Sequence, residues 1–168
     1  MSKPTIVFSP GAWHTPDCFD ILRQRLHERG WETEAVAYPS VGSEPPNKGL
    51  SHDAAALRQV LERLAEQEKE IVLMVHSYGG LVGANAVEGL GIKQRQAKGK
   101  KGGIIMFVYL AAFVAAKGAT IDQMLGGQFL PWMKAEVGST TKATLEEGAV
   151  KKAFANQPLG RLLPCLDS

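Results

Sequence analysis

The sequence is short of the residues that build covalent or metal frameworks. Cysteine occurs twice in 168 residues, as Cys18 and Cys165. That excludes a disulfide framework and a thiolate-built zinc site. Charge of one sign is scarce too: the net charge is +2, too mild a surplus to imply nucleic acid. No apolar run approaches the roughly 18 residues of a membrane span. The longest, from Ile104 to Ala116, carries Tyr109 inside it. The start, Met-Ser-Lys-Pro-Thr-Ile-Val-Phe, has no secretory apolar region ending at a small-residue cleavage site. Neither G-x-G-x-x-G nor G-x-x-x-x-G-K-[ST] occurs, so no nucleotide cofactor is indicated, and no metal site is visible. A cytoplasmic protein without cofactor, membrane or nucleic-acid partner is the expectation.

What is present is a globular composition, 45% hydrophobic and 21% charged, with apolar runs alternating with amphipathic segments. That alternation predicts parallel βα units. Strands are expected at Thr5–Ser9, Thr33–Tyr38, Ile71–Val75 and Gly103–Leu110. Helices are expected from Asp17 to Arg29, from a capping Ser51 to about Glu68, and from Tyr78 to Gly89. Right-handed crossovers then give the spatial strand order 2-1-3-4, with helices on both faces. The basic stretch from Ile92 to Gly103, with Lys93, Arg95, Lys98, Lys100 and Lys101, reads as a solvated connection. Beyond Lys117 the expected elements are short helices over Thr120–Leu125, Phe129–Glu136 and Thr141–Phe154. The organisation is a core over 1–118, a helical cap-like segment over 119–156 and an irregular tail over 157–168.

The sharpest local signal is Val75-His76-Ser77-Tyr78-Gly79-Gly80, where an apolar strand turns directly into a helix. A nucleophile elbow needs that context, with small residues around the serine. Gly79 and Gly80 supply them, whereas Val75 stands where the G-x-S-x-G pattern has its first glycine and crowds the turn. The plainer alternative is a strand-to-helix turn with a serine cap. An elbow holds its serine in or near φ > 0, and that backbone is the expectation for Ser77. The second signal is Ser9-Pro10-Gly11-Ala12-Trp13-His14, at the end of the first strand. Acyl transfer needs two backbone N–H groups aimed at the developing oxyanion. Tyr78, after the serine, and Ala12, on this loop, are the candidates.

Gly11-Ala12-Trp13-His14, His76-Ser77-Tyr78-Gly79-Gly80 and Val108-Tyr109-Leu110-Ala111-Ala112-Phe113, in this order and with these gaps, resemble the α/β-hydrolase superfamily. The nearest branch is the cofactor-free carboxylesterase, methylesterase and hydroxynitrile-lyase group. The resemblance covers roughly the first 115 residues and implies a partial α/β-hydrolase fold. It makes Ser77 the nucleophile and Ala12 and Tyr78 the oxyanion donors. Pro10 stands where a histidine is usual. The segment after Ala119 is similar in character to the family's helical cap, so Met124, Phe129 and Trp132 from it, with Trp13 and His14 from the oxyanion loop, are candidate pocket-lining residues.

One part of the machinery is missing from these residues. The fold's chain order is Ser, then Asp or Glu, then His, yet His14, His27, His52 and His76 all precede Ser77. His76 should point away from the reactive side of its neighbour, His27 should be exposed, and His52 should be structural or solvated. Asp122 is the only acid just past the fourth strand, and it reads as a first-turn residue of a cap helix. Three explanations stand: a truncated hydrolase, which is favoured; a degraded paralogue that binds ligands or partners; or a base from outside the family pattern. The expected function is a serine hydrolase of small apolar carboxylic esters, impaired in these residues. The alternative is a non-catalytic small-molecule- or partner-binding protein on a shortened hydrolase fold. An unpaired fourth strand further predicts self-association through the sheet edge.

Overall fold

The computed structural model describes residues 3–119, 121–127, 133–136 and 142–145. The chain divides into two compact units, Met1–Gly118 and Ala119–Ser168.

In the first unit, β1 (Thr5–Ser9), β2 (Thr33–Ala35), β3 (Glu70–Ser77) and β4 (Gly103–Ala112) form one parallel sheet in the order β2-β1-β3-β4. This is the expected order, and β1 and β3 are the buried central strands. Their side chains alternate between two cores, as a period of two requires. Val7, Ile71, Leu73 and Val75 face one side, where α2 (Leu50–Glu66) contributes Leu57, Leu61 and Leu64 and α3 (Gly79–Ala86) contributes Val82 and Ala86. Ile6 and Phe8 face the other side, packed with Phe19 and with Leu22 and Leu26 of α1 (Asp20–Glu28). Helices thus cover both faces. Leu57, Leu61 and Leu64 recur at helical spacing and are fully buried. Each contributes about 1.5–3 kcal/mol through removal from water.

β2 ends at Ala35 rather than Tyr38, because the chain leaves the sheet after Val36 N–H donates to Phe8 O. α2 starts at Leu50, not after a Ser51 cap. Leu50 packs against the core, and His52 Nδ1 accepts from Gly49 N–H at 3.3 Å. The larger correction concerns the basic stretch. It contains α4 (Ile92–Gln96), and Arg95 is buried. The Arg95 guanidinium donates to Gly102 O, Ala65 O and Lys101 O and pairs with Glu66. Charge density along a sequence does not distinguish a solvated cation from one whose planar fork gathers carbonyls.

At the sheet edge, β4 has no second partner strand among the described residues, apart from an isolated bridge between Gly91 and Ile104. Ile105, Met106, Tyr109 and Leu110 are exposed there.

In the second unit, α5 (Ile121–Met124) is a single turn within the expected helix. Within the helices expected over Phe129–Glu136 and Thr141–Phe154, the described residues are strand instead. Met133–Glu136 forms β5 and Lys142–Leu145 forms β6, an antiparallel pair with Met133 opposite Leu145 and Glu136 opposite Lys142. Four residues are too few to separate a period of 2 from one of 3.6. Phe129, Trp132 and the tail over 157–168 lie outside the described residues. No helix among the described residues is long and apolar enough to cross a membrane.

Candidate active site

β3 delivers Ser77 to the end of the central sheet, and the chain turns there without a linker. Ser77 has φ 52°, the left-handed region that costs a non-glycine residue of order 1–3 kcal/mol. Tyr78 follows at φ −53°, ψ −31°, and α3 starts at Gly79. Leu81 N–H and Val82 N–H both donate to Tyr78 O, which closes the first turn. The strain is held from β4. Phe113 N–H donates to Ser77 O at 3.0 Å. The β3–β4 register also shifts between His76 and Ser77, stepping over Ala111, itself at φ 43°.

Three glycines let α3 begin so close to the sheet. A Cβ at Gly79 would lie 2.4 Å from Ser9 O, one at Gly80 2.2 Å from Phe113 O, and one at Gly83 2.7 Å from Phe107 Cζ and 2.9 Å from Val75 Cγ1. The last contact answers the departure at Val75. Its side chain is fully buried beneath α3, and the space that a glycine at position 75 would leave is supplied from the helix by Gly83.

The β1 loop comes over the same point. Ser9 and Pro10 are fully buried. Gly11 is so placed that a Cβ there would lie 3.2 Å from Ser77 Cβ, 3.1 Å from His76 Nδ1 and 3.4 Å from His14 Nδ1. His14 N–H donates to Gly11 O, and Trp13 sits at φ 61°. Gly11, on the loop that carries Ala12, therefore lies against Ser77, with His14 Nδ1 close by. His14 and His76 meet edge to face at 6.1 Å. His76 Nδ1 thus lies beside Gly11. Burial holds its imidazole below the ordinary range, and the neighbouring His14 adds to this.

Three of the histidines have hydrogen-bond partners away from Ser77. The His14 Nδ1 contact is with Ala12 O at 2.8 Å, that of His27 Nε2 with Thr33 Oγ1 at 2.8 Å, and that of His52 with Gly49. His27 is exposed, as expected. Met124 belongs to the second unit, and Asp122 falls in α5. Among the described residues no group of three or more His, Cys, Asp or Glu is placed to hold a metal ion.

Sequence reasoning missed the polar core behind the turn. Asp53 is fully buried. It accepts from Ser40 N–H at 3.0 Å, Ser40 Oγ at 2.6 Å and Tyr78 Oη at 2.9 Å. Tyr38 donates to Pro10 O at 3.1 Å and shares a 2.5 Å contact with Ser9 Oγ. Burial pushes both tyrosine hydroxyls well above their usual range, and Asp53 adds to the effect at Tyr78 and, less, at Tyr38. A signal was available: position 53 precedes Leu57, Leu61 and Leu64 on one helical stripe, so Asp53 is a carboxylate on an apolar face.

Comparison with known proteins agrees with this geometry. The model of the Alpha/beta hydrolase family matches residues 6–165. The chain is 31% identical over 157 residues to the alpha/beta hydrolase nvfD of Aspergillus novofumigatus, covering 94% of this chain and 59% of that protein. It is 25% identical over 130 residues to the probable hydrolase R7 of a Phoma species, covering 76% and 50%. The chain thus spans between half and three-fifths of the curated relatives it matches. Among solved structures, tomato methylketone synthase I complexed with 2-tridecanone superposes with a TM-score of 0.66 at 17% identity, covering 96% of this chain and 64% of that one. A polyneuridine aldehyde esterase mutant superposes with a TM-score of 0.59 at 15% identity, covering 83% and 56%. Sheet order, strained turn and family match coincide, and the chain belongs to the alpha/beta hydrolase family.

Proposed function

We propose that this chain carries the nucleophile and oxyanion parts of a serine hydrolase acting on small, apolar carboxylic esters. The observation that carries the reading is Ser77 at φ 52° in a strand-to-helix turn, with the Gly11 loop packed against its Cβ. Ser77 Oγ attacks the ester carbonyl carbon and the carbonyl π electrons move onto oxygen. The Tyr78 and Ala12 N–H groups stabilise that oxyanion. The alkoxide leaves, and water then releases the acid from the acyl-serine. Donors fixed in advance are worth most where charge develops in the transition state.

The hydroxyl proton needs an acceptor. No histidine follows Ser77 in these residues, and general-base assistance typically contributes 10²–10⁴-fold. Oxyanion donors alone leave of order 10³-fold over water in protease precedents. The 168 residues are therefore expected to acylate slowly. A longer form with a later acid and histidine would turn esters over at ordinary rates. A second reading is a non-catalytic binder of small apolar molecules on the same scaffold.

Labelling with an ethyl fluorophosphonate separates the two. Ser77 Oγ bonds to phosphorus, the P–F bond breaks, fluoride leaves and the hydroxyl proton goes to water. Stoichiometric labelling that Ser77→Ala abolishes supports the hydrolase. Folded protein that stays unlabelled supports the binder.

A further inference from the structure

The buried polar groups behind the turn connect the two segments that carry the Ala12 and Tyr78 amides. On one side the Tyr38 hydroxyl has a single proton, and it donates it to Pro10 O. Ser9 Oγ therefore donates to Tyr38 Oη. Both partners immediately precede Gly11 and Ala12. On the other side the Tyr78 hydroxyl donates to Asp53, which Ser40 also holds through its amide and its hydroxyl. The two tyrosine rings meet edge to face at 5.8 Å. The clasp thus runs from the β1 loop through Tyr38 and Tyr78 to α2.

A carboxylate buried this completely is retained at a cost unless its acceptor positions are filled. All three of its donors come from segments outside α2, and one is the residue after Ser77. The peptide between Ser77 and Tyr78 joins a left-handed residue to a right-handed one. Such a peptide can rotate and carry its N–H away from the site. A hydroxyl tethered at the far end of the Tyr78 side chain opposes that rotation. Oxyanion donors must lie 2.7–3.1 Å from the oxygen they stabilise, and misplacement by 1 Å can cost 10²-fold.

We propose that Asp53 is a positioning residue. By holding the Tyr78 hydroxyl, with Tyr38 securing the Pro10 side, it sets the direction of the Tyr78 amide relative to that of Ala12. The proposal rests on the reading of Ser77 as nucleophile.

Ethyl fluorophosphonate kinetics on the full chain test it, with melting temperatures recorded alongside. The variants are Tyr78→Phe, which removes only the hydroxyl, the nearly isosteric Asp53→Asn, and the double variant. Each single change is expected to lower the maximal labelling rate about tenfold while the half-saturating probe concentration stays unchanged. That is less than the 10²–10³-fold of a deleted donor. The double variant should be no slower than the worse single one, because both act through one hydrogen bond. Wild-type labelling rates in Tyr78→Phe and Asp53→Asn, with only the melting temperature lowered, would overturn the positioning role and leave Ser77 as nucleophile. Multiplying effects in the double variant would overturn it equally. A wild-type chain that never labels at Ser77 removes the underlying reading, and this proposal with it.

Discussion

Gly80→Ala inverts the usual rule for helices. In an exposed helix interior alanine is favoured over glycine by about 1 kcal/mol. At position 80 the added Cβ would lie 2.2 Å from Phe113 O and 3.1 Å from Phe113 C and N. The obstacle is main chain and cannot rotate aside, so strand exit or helix must move by about 1 Å. Overpacking of this kind costs about 1–3 kcal/mol. The movement also threatens the Phe113 N–H bond to Ser77 O, worth about 1 kcal/mol. After the propensity gain the net loss is about 2 kcal/mol, or roughly 5–10 °C of melting temperature for a unit of this size. Gly83→Ala is the internal comparison. Its added Cβ meets the side chains of Phe107 and Val75, and the half-buried Phe107 ring can swing away, so its loss should be smaller. Thermal unfolding followed by far-ultraviolet circular dichroism measures both. A Gly80→Ala protein that melts at or above the wild-type temperature would refute the close approach of α3 to the β4 exit, and with it this account of how the turn is held.

Ser77→Gly should raise the melting temperature by a few degrees, since it relieves about 1–3 kcal/mol of left-handed strain against about 0.5–1 kcal/mol of added chain entropy; Ser77→Ala, still strained at φ 52°, should not. The His76 ring is held below its ordinary pKa by burial and by His14. In the interval between that lowered value and about 6.5 the unfolded chain binds more protons, so stability rises with pH across it, is fully present above it and is lost below. Urea midpoints measured from pH 5 to 8 should show this slope, flattened in His76→Gln. The exposed apolar residues of β4, with Met106 56% and Leu110 42% accessible, should drive self-association. Light scattering after size exclusion should find a concentration-dependent larger species that Met106→Lys and Leu110→Lys abolish, and a monomer at all concentrations would contradict it.

The parts of the molecule that were legible beforehand are those where local pattern and tertiary role coincide. β1 is buried on both faces, and it and the Ile71–Val75 stretch of β3, half-buried on its second face, read as apolar runs. The turn at Ser77 is legible because a tight strand-to-helix turn demands small residues at fixed offsets, and the left-handed serine follows from that. The strand order follows from crossover handedness. Legibility fails where a residue's role depends on partners distant in sequence. Arg95 looks like its lysine neighbours until Ala65 and Glu66 of α2 arrive beside it. Gly83 compensates for Val75 only because a helix crosses a strand there. Asp53 went unread on its stripe, and its partners Ser40 and Tyr78 lie on two other segments. β5 and β6 are shorter than the pattern length that would identify them.

The bond from Phe113 N–H to Ser77 O has a consequence during synthesis. The groups that lock the Ser77 turn lie roughly 36 residues downstream, and ribosomes add about 5–20 residues per second. The nascent chain therefore waits on the order of 2–7 s after Ser77 is made before its turn can close. Through that interval one edge of β3 has no neighbour, since the β4 residues that will pair with Ile71 through Ser77 are still being added. Slowing translation between β3 and β4 should therefore lengthen the time for which that edge of β3 stays open.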